Sequence, residues 1–271
     1  MTMLKVRKIS ASAPAEGAPK TPTIILFGDS HSHAVQRAIE KREGKGQSVP
    51  LRAHRLLKPK NGKQLGDTTF EDFIEIARKL EEQDVVLSMI GGNQHSVYSM
   101  IQHPQPFDFY TPDTPEIEAT REVVPYRALE DAFTNGLRTG DGKSLEALRN
   151  ATTARVVHII PPPPKADTAF IEQNHETRFA QEGLSTHGVS PPALRLKFWK
   201  LQAKVLKQIC ANLGIELMMP PASTVDAQGF LLPEYYAQDA THANWRYGER
   251  LIRQVERQYL GSKHAVARGA A

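Results

Sequence analysis

The chain has one cysteine, Cys210, in 271 residues. A lone thiol excludes an internal disulfide and any zinc site built on cysteines. No apolar run approaches the roughly 18 residues that a membrane helix needs, so no membrane span is expected. The opening stretch MTMLKVRKISASAPAEGAPK lacks a continuous apolar segment of the secretory kind, and a cytoplasmic location is the expectation. There is no internal repeat, and no low-complexity block outside the two tails. Lysine and arginine form no stripe interleaved with aromatics. Many of the basic residues behind the net charge of +4 fall in the tails, so nucleic acid is not an expected partner.

What is present is an ordinary globular composition, with 40% hydrophobic and 24% charged residues. Residues 1–22, rich in Ala, Pro, Lys and Ser, read as a flexible tail, and 261–271 as a second one. Residues 23–260 read as a single domain. Its first element is the apolar run Ile24–Phe27, the pattern of a strand buried on both faces. The chain turns at Gly28-Asp29-Ser30, and a helix follows with Ala34, Val35, Ala38 and Ile39 on one face. Val49–Leu57 is a second candidate strand. A basic loop, LKPKNGKQLG, leads to Thr69-x-x-Asp72, a capping signal for a helix running to about Glu82. Val85–Ile90 is the third strand and stops at Gly91-Gly92-Asn93.

Residues 94–150 are too long for a simple strand-to-helix link and read as an insertion at the strand-end edge. Tyr98, Phe107, Phe109 and Tyr110 fall in it, followed by helical patterns near Tyr126–Leu137 and Ser144–Arg149. Arg155–Ile160 is the fourth strand, ended by Pro161–Pro164. Ser190-Pro191-Pro192 opens a long helix that Gly214 closes. Ile215–Met219 is the fifth strand, and Trp245–Leu260 the last helix. Alternating strands and helices predict a three-layer α/β sandwich around a central parallel five-stranded sheet.

Four short stretches fall at strand ends or before the last helix: Gly28-Asp29-Ser30, Gly66-Asp67-Thr68, Gly91-Gly92-Asn93 and Asp239-x-x-His242. All should gather at one sheet edge. Together they offer what acyl transfer needs: a hydroxyl nucleophile, a base with an orienting acid, and donors for an oxyanion.

In these stretches the sequence resembles the SGNH hydrolases, also called GDSL esterases and lipases, over about Ile24–Leu260. FGDS matches the family's first block, LGDT the second, GGNQ the third and DATH the fifth. HANWRYG resembles the continuation into the last helix. Gln94 stands where the third block often has Asp. The resemblance implies a flavodoxin-like SGNH fold and a serine esterase. Ser30 would be the nucleophile, His242 the base and Asp239 its acid. The oxyanion hole would be Ser30 N–H, Gly66 N–H and the Asn93 side chain. Neither a cofactor nor a metal is implied. The substrate would be a small-molecule or carbohydrate ester, and the oligomeric state stays open.

His95, Tyr98, Phe107 and Tyr110 are candidate substrate contacts, and the aromatics among them equally candidates for a local core. Lys58, Lys60 and Lys63 read as a solvated basic loop. His31, His33, His95 and His242 raise a metal-dependent phosphoesterase as an alternative. It is disfavoured because Gln94 intervenes after Asn93 and no late Gly-His-x-His follows. An acyltransferase on the same site and a non-catalytic binding protein complete the alternatives.

Overall fold

Ile24–Gly28 (β1) is buried at all five positions. A strand covered on both faces has to be apolar throughout, and IILF meets that demand. The computed structural model describes residues 21–60, 63–111, 117 and 120–261, so nearly all of the two expected tails lies outside the described residues. Beside β1 lie Arg52–Arg55 (β2) and Val85–Met89 (β3), then Arg155–Ile159 (β4) and Glu216–Met218 (β5). The five pair in parallel in the order β2-β1-β3-β4-β5. The winding reverses between β1 and β3. In such sheets the crevice outside the strands' carboxyl ends at that point is where ligands bind.

The helices around the sheet and the site include His33–Glu43 (α1), Phe70–Ala77 (α2), Gln94–Ser99 (α3), Tyr126–Thr139 (α4), Asp141–Ala151 (α5), Pro192–Asn212 (α6) and Trp245–Tyr259 (α7). Strand alternation divides them into layers. Ile24, Leu26, Leu87 and Val157 face one side, where Val35 and Ala38 of α1 and Tyr247, Leu251 and Val255 of α7 cover them. Ile25, Phe27, Val86 and Val156 face the other, under Phe73 of α2, Leu145 and Leu148 of α5 and Cys210 of α6. Helix α7 touches α1 through Gly248, where a Cβ would lie 2.1 Å from the Ala34 carbonyl oxygen. Only a glycine lets the backbones approach that closely. That contact seats the start of α7 beside the segment that follows β1.

Two readings needed correction. The helix expected to reach Glu82 ends at Ala77. Lys79 and Leu80 continue by i−3 bonds to Ile76 and Ala77, the tighter winding common at helix ends. The basic loop contains a small antiparallel hairpin, Lys58–Lys60 with Lys63–Leu65. The 94–150 segment is largely helical, comprising α3, α4 and α5 with one short strand pair, Phe107–Asp108 with Glu122–Val123. Among the described residues, no helix is long and apolar enough to cross a membrane.

Candidate active site

The nucleophile candidate sits on a single tight turn, Ser30–Ser32, between β1 and α1. Ser32 closes that turn on itself through its Oγ, which donates to the Asp29 carbonyl at 2.7 Å. Asp29 reaches across to the next strand end, where its Oδ2 accepts from Gly91 N–H at 3.2 Å. Ser30 is half-buried.

Gly91 and Gly92 both have left-handed backbones, φ +71° and +89°. A Cβ on Gly91 would lie 2.0 Å from Asp141 Oδ1. Asp141, the first residue of α5, accepts from Gly92 N–H at 3.0 Å. Burial raises the Asp141 carboxyl above its usual range, and the nearby Asp29 adds to the rise. From α6, Gln202 Nε2 donates to the Gly92 carbonyl at 2.8 Å, and its Oε1 accepts from His95 N–H at 2.8 Å. The turn is therefore held from three sides, and Asn93 emerges from it at the head of α3.

The base candidate stands before α7. Asp239 Oδ1 accepts from the backbone N–H of His242 at 2.7 Å and of Thr241 at 3.0 Å, while Oδ2 lies 2.9 Å from His242 Nδ1. Burial alone would raise the Asp239 carboxyl. The hydrogen bond and charge of His242, helped by Lys165, outweigh it and hold the group well below the usual carboxylate range. The Lys165 ammonium donates to the carbonyls of Ala237, at 2.7 Å, and Asp239. Burial lowers Lys165 to about 8, against the pull of Asp239 and Glu176. Glu176 is a second acid here, with Oε1 3.6 Å from His242 Nδ1. It accepts from Thr241 Oγ1 at 2.9 Å and Ala240 N–H at 3.1 Å. On the far side of the ring, His242 Nε2 is buried and without a hydrogen-bond partner.

His31 brings the segments together. Its Nε2 lies 2.9 Å from Asn93 Oδ1, and its ring centroid is 4.8 Å from that of His242. The first, third and fifth sequence blocks thus meet around one buried imidazole, adjacent in sequence to Ser30. No hydrogen bond joins Ser30 Oγ to His242 Nε2. Catalytic hydrogen bonds are often long or poorly aligned before substrate binds.

Gly66 approaches from the sheet edge. Asp67 and Thr68 N–H donate to the Arg55 carbonyl, and Leu56 N–H to the Gly28 carbonyl, so the loop lies against the end of β1. Gly66 lines a cleft of about 530 Å³ with His33, Gln36, Arg55 and Asp67. Among the described residues, no hydrogen bond joins Gly66 to the Ser30 turn.

None of the four expected substrate contacts lines that cleft. His95 is buried and donates Nδ1–H to the Gly92 carbonyl at 3.0 Å, so it supports the turn from behind. Burial pushes it down to about 4. Tyr98 lays its ring against Phe133 and Phe198, at 5.1 and 6.0 Å, and Phe107 sets its edge on Phe198 at 6.1 Å. For Phe107 this is the local-core alternative, and Tyr98 joins it while keeping one side exposed. Tyr110 is exposed. The four histidines form no shared metal cluster among the described residues. The one metal-capable group there is Glu176, Asp239 and His242, with ligand atoms within 4.8 Å of one another. Its donors are already spent on each other and on backbone N–H groups.

Lys165, Glu176 and Asp141 were not among the sequence candidates. None has a spacing that marks it, because each acts across 49 to 74 residues of chain.

No family model matches the sequence, and no curated protein matches it significantly. Among solved structures the chain is similar to a GDSL-like lipase from Bacteroides thetaiotaomicron, with 13% identity, 93% of each chain covered and a TM-score of 0.43. It is similar to a carbohydrate acetylesterase from Sinorhizobium meliloti, with 13% identity, 91% of this chain and 99% of that one covered, and a TM-score of 0.41. A phospholipase A1 from Streptomyces albidoflavus gives 11% identity, 87% and 99% coverage and a TM-score of 0.45.

Proposed function

We propose that the chain is an ester hydrolase of the SGNH type, working through an acyl-enzyme on Ser30. One observation carries this reading. An imidazole is fixed by a carboxylate on Nδ1, and its Nε2 is buried and uncommitted beside the serine-bearing turn. That is the arrangement a general base needs before substrate arrives.

His242 Nε2 takes the proton from Ser30 Oγ as the oxygen attacks an ester carbonyl. Asp239 keeps the other ring nitrogen protonated and balances the imidazolium. The Ser30 and Gly66 N–H groups and the Asn93 amide receive the oxyanion. His242 then gives its proton to the leaving alkoxide, and water repeats the sequence on the acyl-enzyme. The substrate class is a small acyl ester or a carbohydrate O-acyl ester. An acyltransferase would use the same atoms with an alcohol in place of water.

The test is a panel of p-nitrophenyl esters of increasing chain length, run on wild type and Ser30→Ala, with and without chelator. Hydrolysis lost in Ser30→Ala and untouched by chelator is the expected result. Repeating the assay with an acceptor sugar separates hydrolysis from transfer.

A further inference from the structure

Asn93 is useful to an oxyanion only by its nitrogen. A side-chain amide has two ends, and the wrong one would present a second oxygen to a developing negative charge. Something has to decide which end points where, and the only side chain bonded to the Asn93 amide among the described residues is His31.

The hydrogen-bonding of the ring decides which end of the amide faces it. His31 is 5% exposed, and its Nδ1 is buried with no hydrogen-bond partner. If Nδ1 carried the proton, an N–H donor would be buried without an acceptor, which is the rarer kind of orphan. A doubly protonated ring would have the same orphan and bury a charge beside His242. The remaining form is neutral, with the proton on Nε2. That N–H lies 2.9 Å from Asn93 and requires an acceptor there, which is Oδ1. The Asn93 nitrogen is then turned away from His31. Burial, reinforced by the neighbouring His242, pushes the ring down to about 3, so its proton stays put when His242 takes one up.

We propose that His31 is a positioning residue: its Nε2–H holds Asn93 by the oxygen, so that the Asn93 N–H groups are the ones presented to the oxyanion. This rests on the serine-hydrolase reading and names a part of the site which that reading leaves open. Because His31 follows Ser30 directly, nucleophile and amide are registered to each other through one turn.

Glutamine and asparagine separate this role from mere packing. The Gln side-chain nitrogen reaches about where Nε2 stands, whereas that of Asn falls near Nδ1 and cannot reach Asn93. His31→Ala and His31→Asn are each expected to lose about 10- to 100-fold in kcat with little change in KM, a fraction of the roughly 10²–10³ that an oxyanion donor supplies. His31→Gln is expected to recover most of it. The double variant His31→Ala/Asn93→Ala should be no slower than Asn93→Ala alone, because both remove one interaction. Multiplying losses, or a His31→Gln enzyme as slow as His31→Ala, would overturn the proposal. A nitrogen NMR spectrum of wild type gives a readout that needs no turnover and no folded variant. It should show His31 protonated on Nε2 and bare on Nδ1, and the reverse would overturn the proposal. Esterase activity surviving in Ser30→Ala would instead remove the serine mechanism, and this role with it.

Discussion

The Lys165 ammonium donates to the backbone carbonyl of Asp239 and stands 3.7 Å from the carboxylate of the same residue. With the Ala237 carbonyl as a further acceptor, one buried cation pins the loop that carries both the proposed acid and the proposed base. Lys165→Met would fill the space and leave these acceptors without their donor. Each orphaned group costs about 1–3 kcal/mol, so the variant should melt several degrees lower. Activity should fall more in kcat than in KM, because the loop orients the base and does not hold substrate. Thermal melts and steady-state kinetics on one preparation check both.

Asp239 and Glu176 allow an unusual ordering of variants. In Asp239→Asn, the two backbone N–H groups on Oδ1 keep an oxygen in that place. The new amide nitrogen must then face His242 Nδ1 and force the proton to Nε2, the wrong tautomer for a base. In Asp239→Ala, Nδ1–H is free to turn to Glu176, 3.6 Å away. Asp239→Asn should therefore be the slower enzyme, by up to about 10⁴ against wild type. Adding Glu176→Gln to Asp239→Ala should erase the advantage. Equal rates for Asp239→Asn and Asp239→Ala would show that Glu176 lends no support.

Removing the Asn93 amide should cost about 10²–10³ in kcat. Asn93→Ala leaves the turn itself in place, since Asp29, Asp141 and Gln202 hold it through its glycines. Its melting temperature should stay near that of wild type. Near-normal turnover would remove Asn93 from the oxyanion hole.

Burial lowers four histidines below their ordinary 6.5: His33, and more strongly His31 to about 3, His95 to about 4 and His158 to about 4. In the unfolded chain each takes up a proton near 6.5, and in the fold each refuses it. Stability is therefore whole above about pH 6.5 and falls as pH drops toward 4, at about 1.4 kcal/mol per pH unit and group. Melting temperature measured from pH 7 to 4 should decline steadily. His158→Leu, near the end of β4 and beside Ser88, should make that decline shallower.

The sheet was legible because burial on both faces leaves no choice of residue: IILF and VVLSM can be little else. The Asp239–His242 pair was legible through the resemblance of DATH to a family block, since an i,i+3 Asp and His alone also suit a helix surface. The hairpin at Lys58–Leu65 was not, since a two-stranded ribbon on the surface needs no apolar alternation. The aromatics of the 94–150 segment read two ways because a ring covering Phe198 and a ring lining a cleft have the same composition. From the sequence, His31 stood out only as one of the four histidines behind the metal alternative. Its bond to Asn93 spans 62 residues, and only the fold supplies that distance.

The most direct measurement is covalent capture with a fluorophosphonate, followed by mapping of the modified residue by mass spectrometry. Attack by Ser30 Oγ, with His242 as base, predicts one phosphonylated residue, Ser30. Labelling should be lost in Ser30→Ala and slowed by orders of magnitude in His242→Ala. A label on another residue, or labelling of Ser30 at an undiminished rate in His242→Ala, would contradict it.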